Sequence, residues 1–144
     1  MTASLDIPTG HPHPALTALR AYLADVTSEL GVGLESCTVD HDVPVSAYVA
    51  LDERLPGYPG HDVALLWDEV HGWSAAIETA ADGLTAIRHL GGAVVPPPRQ
   101  VARFVSALRA DDHGIGHLEP VPLRDPSDLD DLATVLRGPT GQRQ

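Results

Sequence analysis

Two hydrophobic periods divide the chain. From Pro14 onward, Leu16, Leu19, Leu23, Val26 and Leu30 recur at spacings of three and four, which puts them on one stripe of an amphipathic helix. Pro14 suits the first helical position, where its missing N–H has no intrahelical partner, and Gly31 offers a left-handed stop. From Leu34 the period shortens to two. "LESCTVD" and "VSAYVALD", separated by "HDVP", predict two strands. "RLPGYPG" then enforces a loop, and "DVALLWDEVHGWSAAIE" predicts a hairpin with its turn at "DEVHG". Val63, Leu65 and Trp67 alternate on one face of its first strand, and Trp73, Ala75 and Ile77 on the return. Both indoles are expected to pack against the first helix. "LTAIRHL" fits either period; the little room between "ADG" and "GG" favours a fifth strand.

Two helices complete the pattern. Pro97 or Pro98 sets the first helical φ of one, and Val101, Phe104, Val105 and Leu108 mark its buried face. The other follows the loop "DDHGIGHLEPVPLRDP", with Ser127 as N-cap and Asp128, Asp130 and Asp131 in a first turn whose dipole favours negative charge. Leu129, Leu132, Val135 and Leu136 form its buried side, and Gly138-Pro139 ends it. This order predicts an α+β domain: an antiparallel sheet of about four to five strands, with an N-terminal helix and two C-terminal helices packed on one face. Residues 13–138 form the expected domain; 1–12 and 139–144 read as flexible tails.

Length and composition narrow the function classes. A chain of 144 residues buries enough surface for one domain without a disulfide or metal staple, and its one cysteine cannot bridge internally. "MTASLDIPTG" lacks the charge and apolar run of a signal peptide, and no segment approaches a membrane span, so a soluble cytoplasmic protein is expected. The net charge of −11, with no lysine, disfavours nucleic acid and anionic membrane as partners and favours a basic partner or simple solubility.

The candidate chemistry is sparse. "WDEVHGW" gathers two indoles, two acids and an imidazole around one turn, so Trp67, Asp68, Glu69, His71 and Trp73 are the candidate binding residues. The competing and favoured reading is a tight turn, with Gly72 in a conformation other residues avoid and the tryptophans as core anchors. His113 and His117 are four apart, but the glycines of "HGIGH" argue for a loop, and no third ligand stands at a diagnostic spacing, so no metal is expected. "HPHP" at 11–14 has nothing to fix its geometry. "DHD" at 40–42 reads as a polar turn between strands. Cys37 is expected to be buried in a strand, with no base placed beside it. Arg99 and Arg103 lie one helical turn apart and read as surface charges. Gly91 and Gly92 precede prolines rather than N–H donors at a helix mouth, so they mark a corner and no phosphate cradle. No catalytic residue and no cofactor is assigned.

"YVALDERLPGYPGHDVALLWDEVHGWSAAIE" and "HLGGAVVPPPRQVARFVSAL" resemble the DUF6292 family, small actinobacterial proteins known only as a domain of unknown function. The likeness runs from about Ala15 to Leu108, with "LLWDEVHGW" and "LGGAVVPPP" its most specific stretches. It implies a single α+β domain and a Streptomyces-type host, with no activity to carry over. Together these readings predict a non-enzymatic protein-interaction or binding module, whose partner is a protein or a small molecule; a homodimer is compatible with them. The alternative is a small-molecule-binding protein or small enzyme with a pocket near the Trp67–Trp73 hairpin.

Overall fold

The computed structural model describes residues 13–79, 83–112, 114–126 and 129–137. Helix α1 spans Pro14–Leu30 and ends on Gly31 at φ 80°, the left-handed stop its position implies. His13 caps its start, with Nδ1 accepting the Ala15 N–H at 3.0 Å. Five strands follow: β1 Cys37–Asp40, β2 Ser46–Ala50, β3 Val63–Asp68, β4 Gly72–Thr79 and β5 Gly83–His89. They pair antiparallel in chain order, an up-and-down meander with β1 and β5 at the edges. Helices α2, Pro98–Arg109, and α3, Leu129–Arg137, close the described chain. The architecture is the expected α+β one.

Alternation sorts the sheet into two faces. Val49, Val63, Leu65, Trp67, Trp73, Ala75 and Ile77 point into a single core with Leu19, Leu23 and Val26 of α1, Val101, Phe104 and Val105 of α2, and Leu132 and Leu136 of α3. Each large side chain buried there contributes about 1.5–3 kcal/mol. On the opposite face, Ala50, Ala64, Ala76 and Ala86 fall in register across four strands.

Two expectations need correction. Leu34–Ser36 is a single 3-10 turn, so β1 starts only at Cys37. Cys37 is half-buried, because it opens an edge strand with a neighbour on one side only. Burial still pushes its thiol pKa up, Glu35 adds to that, and Arg20 opposes it. Trp67 lies in one buried cluster with Leu19, Leu23 and Val26 of α1, and its Nε1 donates to the Val94 carbonyl at 2.8 Å. The expected tails, Ser127, Asp128, Gly138, Pro139, His11 and His113 lie outside the described residues.

Candidate functional site

The β3–β4 turn is built by the residues singled out from sequence. Asp68 pairs with Gly72, leaving Glu69, Val70 and His71 as a three-residue loop, and Gly72 takes φ 73° to let β4 depart. Asp68 Oδ1 accepts the backbone N–H groups of Val70 at 2.8 Å and His71 at 2.7 Å, a side chain standing in for a turn hydrogen bond. The same oxygen lies 3.2 Å from His71 Nδ1.

Glu69 is entirely buried. Its Oε2 accepts the Val45 N–H at 2.7 Å and its Oε1 accepts Arg124 Nη1 at 2.8 Å. Arg124, nearly buried itself, also binds the Glu69 carbonyl and the Asp131 carboxylate of α3. Leu123 N donates to the Val70 carbonyl at 2.7 Å. The turn is therefore the point where the sheet, the 118–126 segment and α3 are fastened together.

Both tryptophans are 1% exposed. Trp73 Nε1 donates to Tyr22 Oη at 3.0 Å, and Tyr22 Oη donates to the Pro96 carbonyl at 2.6 Å. With the Trp67 bond to Val94, the Val94 and Pro96 carbonyls, which no strand partner takes up, receive buried donors. Burial drives the Tyr22 hydroxyl pKa far up against the pull of Trp73, so it stays a donor.

Two histidines that sequence reading did not connect sit beside this turn. His89 and His117 exchange both backbone hydrogen bonds, at 2.8 and 2.7 Å. The His117 ring lies over Gly91, where a Cβ would come within 2.6 Å of it, and a Cβ on Gly116 would come within 2.4 Å of the His89 carbonyl. His89 Nδ1 is enclosed, with no hydrogen-bond partner among the described residues. Burial lowers the His89 pKa, His71 and His117 lower it further, and Glu119 and Asp68 oppose them. Among the described residues, no three His, Cys, Asp or Glu side chains are grouped to hold a metal ion.

The open sheet face carries a further arrangement of polar and apolar side chains. Thr38, Asp40, Ser46, Tyr48, Leu66 and Asp68 line a shallow concavity of about 280 Å³, closed at one side by Leu84 and touching Trp67 and Ala47 at its base. Leu84 is 37% exposed. Tyr48 Oη donates to Glu78 Oε2 at 3.0 Å; burial raises the Tyr48 pKa, and Glu78 and Asp62 add to the rise. Of the sequence-derived candidates, Asp68 lines this concavity and Trp67, a core residue like Glu69 and Trp73, only touches its base, while His71 is the last residue of the turn. The "DHD" turn is formed as expected, Asp40 Oδ1 accepting the Asp42 N–H at 2.9 Å.

A small α+β domain, a five-stranded meander with helices on one side and an acid-rimmed sheet face on the other, is the class these features define. The chain belongs to the DUF6292 family, a family of unknown function, whose model matches residues 22–107, more than half of its length. No curated protein and no solved structure matches it.

Proposed function

We infer that the domain is a non-enzymatic interaction module that presents the open face of its sheet to a protein partner. One observation carries the reading: the hairpin's polar groups are committed to the fold, while Tyr48, Leu66 and Leu84 stand on a face that shares no core with any helix. Apolar side chains grouped on a surface and rimmed by polar ones are the usual make-up of a protein interface.

The test places a photo-reactive phenylalanine analogue at position 84 of the full chain in its host, and for comparison at position 103 on α2. The same protein should be captured repeatedly from position 84 and not from 103, and Leu66→Glu should abolish capture. Absence of any adduct specific to position 84 would refute the reading.

The second reading is a small-molecule site in the same concavity, supported by its place beside the Trp67–Asp68 end of β3. Its volume of about 280 Å³ lies just under the span of roughly 300–1,000 Å³ that small-molecule sites commonly occupy. A metabolite-library thermal-shift screen tests it, because a saturating ligand raises the unfolding temperature measurably.

A further inference from the structure

We propose that residues 114–119 form a pH-operated flap, latched to the end of β5 through His117 and His89 and released when His89 takes up a proton.

The flap is lightly held. None of residues 114–123 is buried, and Leu118 is 68% exposed. The chain is anchored just before the flap, where Asp112 N donates to the Ala107 carbonyl of α2 at 2.9 Å. It is anchored again beyond it, where Leu123 N donates to the Val70 carbonyl at 2.7 Å. Between these points, among the described residues, its backbone bonds to the sheet only through the His89–His117 pair. Segments with few buried apolar contacts and few backbone bonds open at a lower free energy than the core.

The closed form is matched to a neutral His89. Gly116 lies flush against the His89 carbonyl and the Phe104 ring of α2, where a Cβ would come within 2.4 and 3.3 Å of them. His89 Nδ1 is shut in beneath, with no hydrogen-bond partner. A neutral imidazole can leave that nitrogen bare, whereas an imidazolium carries an N–H on both nitrogens. Protonation therefore puts a charged donor where nothing accepts it, and the unmet group costs far more than a bare nitrogen.

The surrounding charges set the direction. His71 and Asp68 face His89 from the β3–β4 turn, and His117 and Glu119 face it from the flap. Burial is the largest influence on the ring and disfavours its charge; the two imidazoles add to that, the two carboxylates oppose it, and the balance leaves the His89 pKa lowered. Opening lifts the enclosure, returning the ring toward its ordinary value of about 6.5. The open form thus binds the proton first. Closure is fully favoured above about pH 6.5, and opening grows as pH falls from there toward the closed-state pKa.

Amide hydrogen exchange of the full chain, corrected for the intrinsic pH dependence of exchange, tests this at pH 7.5 and 5.5 and in 0–1 M urea. Protection of the His89 and His117 N–H groups should fall severalfold at the lower pH, and by at most about tenfold, the limit for one proton over that span. This fall should be indifferent to sub-denaturing urea, because a local opening exposes little surface, while exchange of the β3 amides quickens with urea. In His89→Gln the pH response of the His117 N–H should vanish. Protection that ignores pH, a fall that tracks urea as global unfolding does, or a response that survives in His89→Gln each overturns the proposal; the urea comparison on the native chain decides it even if the variant does not fold.

Discussion

Glu69 holds a carboxylate away from water, and its partners explain how it is tolerated: a backbone N–H on one oxygen, a guanidinium on the other. Removing one member of such a pair strands the other, at a cost of about 3–5 kcal/mol, whereas exchanging both for apolar groups can be neutral. Glu69→Ala should therefore shift the urea midpoint strongly, and Glu69→Leu/Arg124→Leu should recover part of the loss. Two independent, additive losses would show that the pair is not coupled. His89 gives a pH dependence of definite sign. Its folded pKa lies below the ordinary 6.5, so the unfolded chain takes up a proton first as the medium acidifies. The stability from neutral His89 is complete above about pH 6.5 and is lost as pH falls through that value toward the folded pKa. Urea midpoints at pH 7.5 and 5.5 should differ more in the native chain than in His89→Gln. None of these couplings was legible beforehand. Glu69 and Arg124 are 55 positions apart, and side-chain pairing at that separation leaves no periodic trace.

The β3–β4 hairpin shows what local pattern can specify. Two tryptophans at strand spacing and one glycine after an "Asp-Glu-Val-His" turn announced the turn, its register and the special backbone of Gly72. Gly72→Ala must place a Cβ in a left-handed conformation and 3.2 Å from Leu123, so a loss of about 1–2 kcal/mol is expected in thermal or chemical melts. A neutral result would mean that the turn relaxes to another form. The same logic failed at Leu34–Ser36. There β-forming composition suggested strand, but Gly33 lets the chain tighten and the Glu35 carboxylate folds back onto it, within 2.2 Å of where a Cβ would stand. The ambiguous "LTAIRHL" became an edge strand because β4 offered it a partner; a bulge at Ala75/Ala76 absorbs the mismatch.

The foldable body is larger than the stretch its family defines. Residues 22–107 leave out the first turns of α1, the Arg124 anchor and all of α3. Leu132, Ala133 and Leu136 are sealed into the common core, and Asp131 reaches Arg124. Two buried leucines and the loss of the guanidinium from Glu69 together come to more than about 5 kcal/mol, a large part of the roughly 5–15 kcal/mol that holds a domain folded. A chain ending at Asp112 should lose its cooperative melting transition by circular dichroism; a sharp native-like transition would show that the C-terminal part is dispensable. The helices and strands were readable from period and turn chemistry, and so was the single core. The acid-rimmed face was not: alternate polar positions read only as solvent-facing, and the alignment of Asp40 with Asp68 depends on a strand register that no local pattern encodes.

Both indoles of this chain are sealed inside and tethered to other parts of the core. Intrinsic emission should thus be blue-shifted in the native state and move to longer wavelength only when the entire body opens. Iodide in the solvent should quench it hardly at all. A guest settling over Tyr48 and Leu84 would leave that signal almost untouched, so the protein carries a built-in optical gauge of its own integrity that is separate from its occupancy.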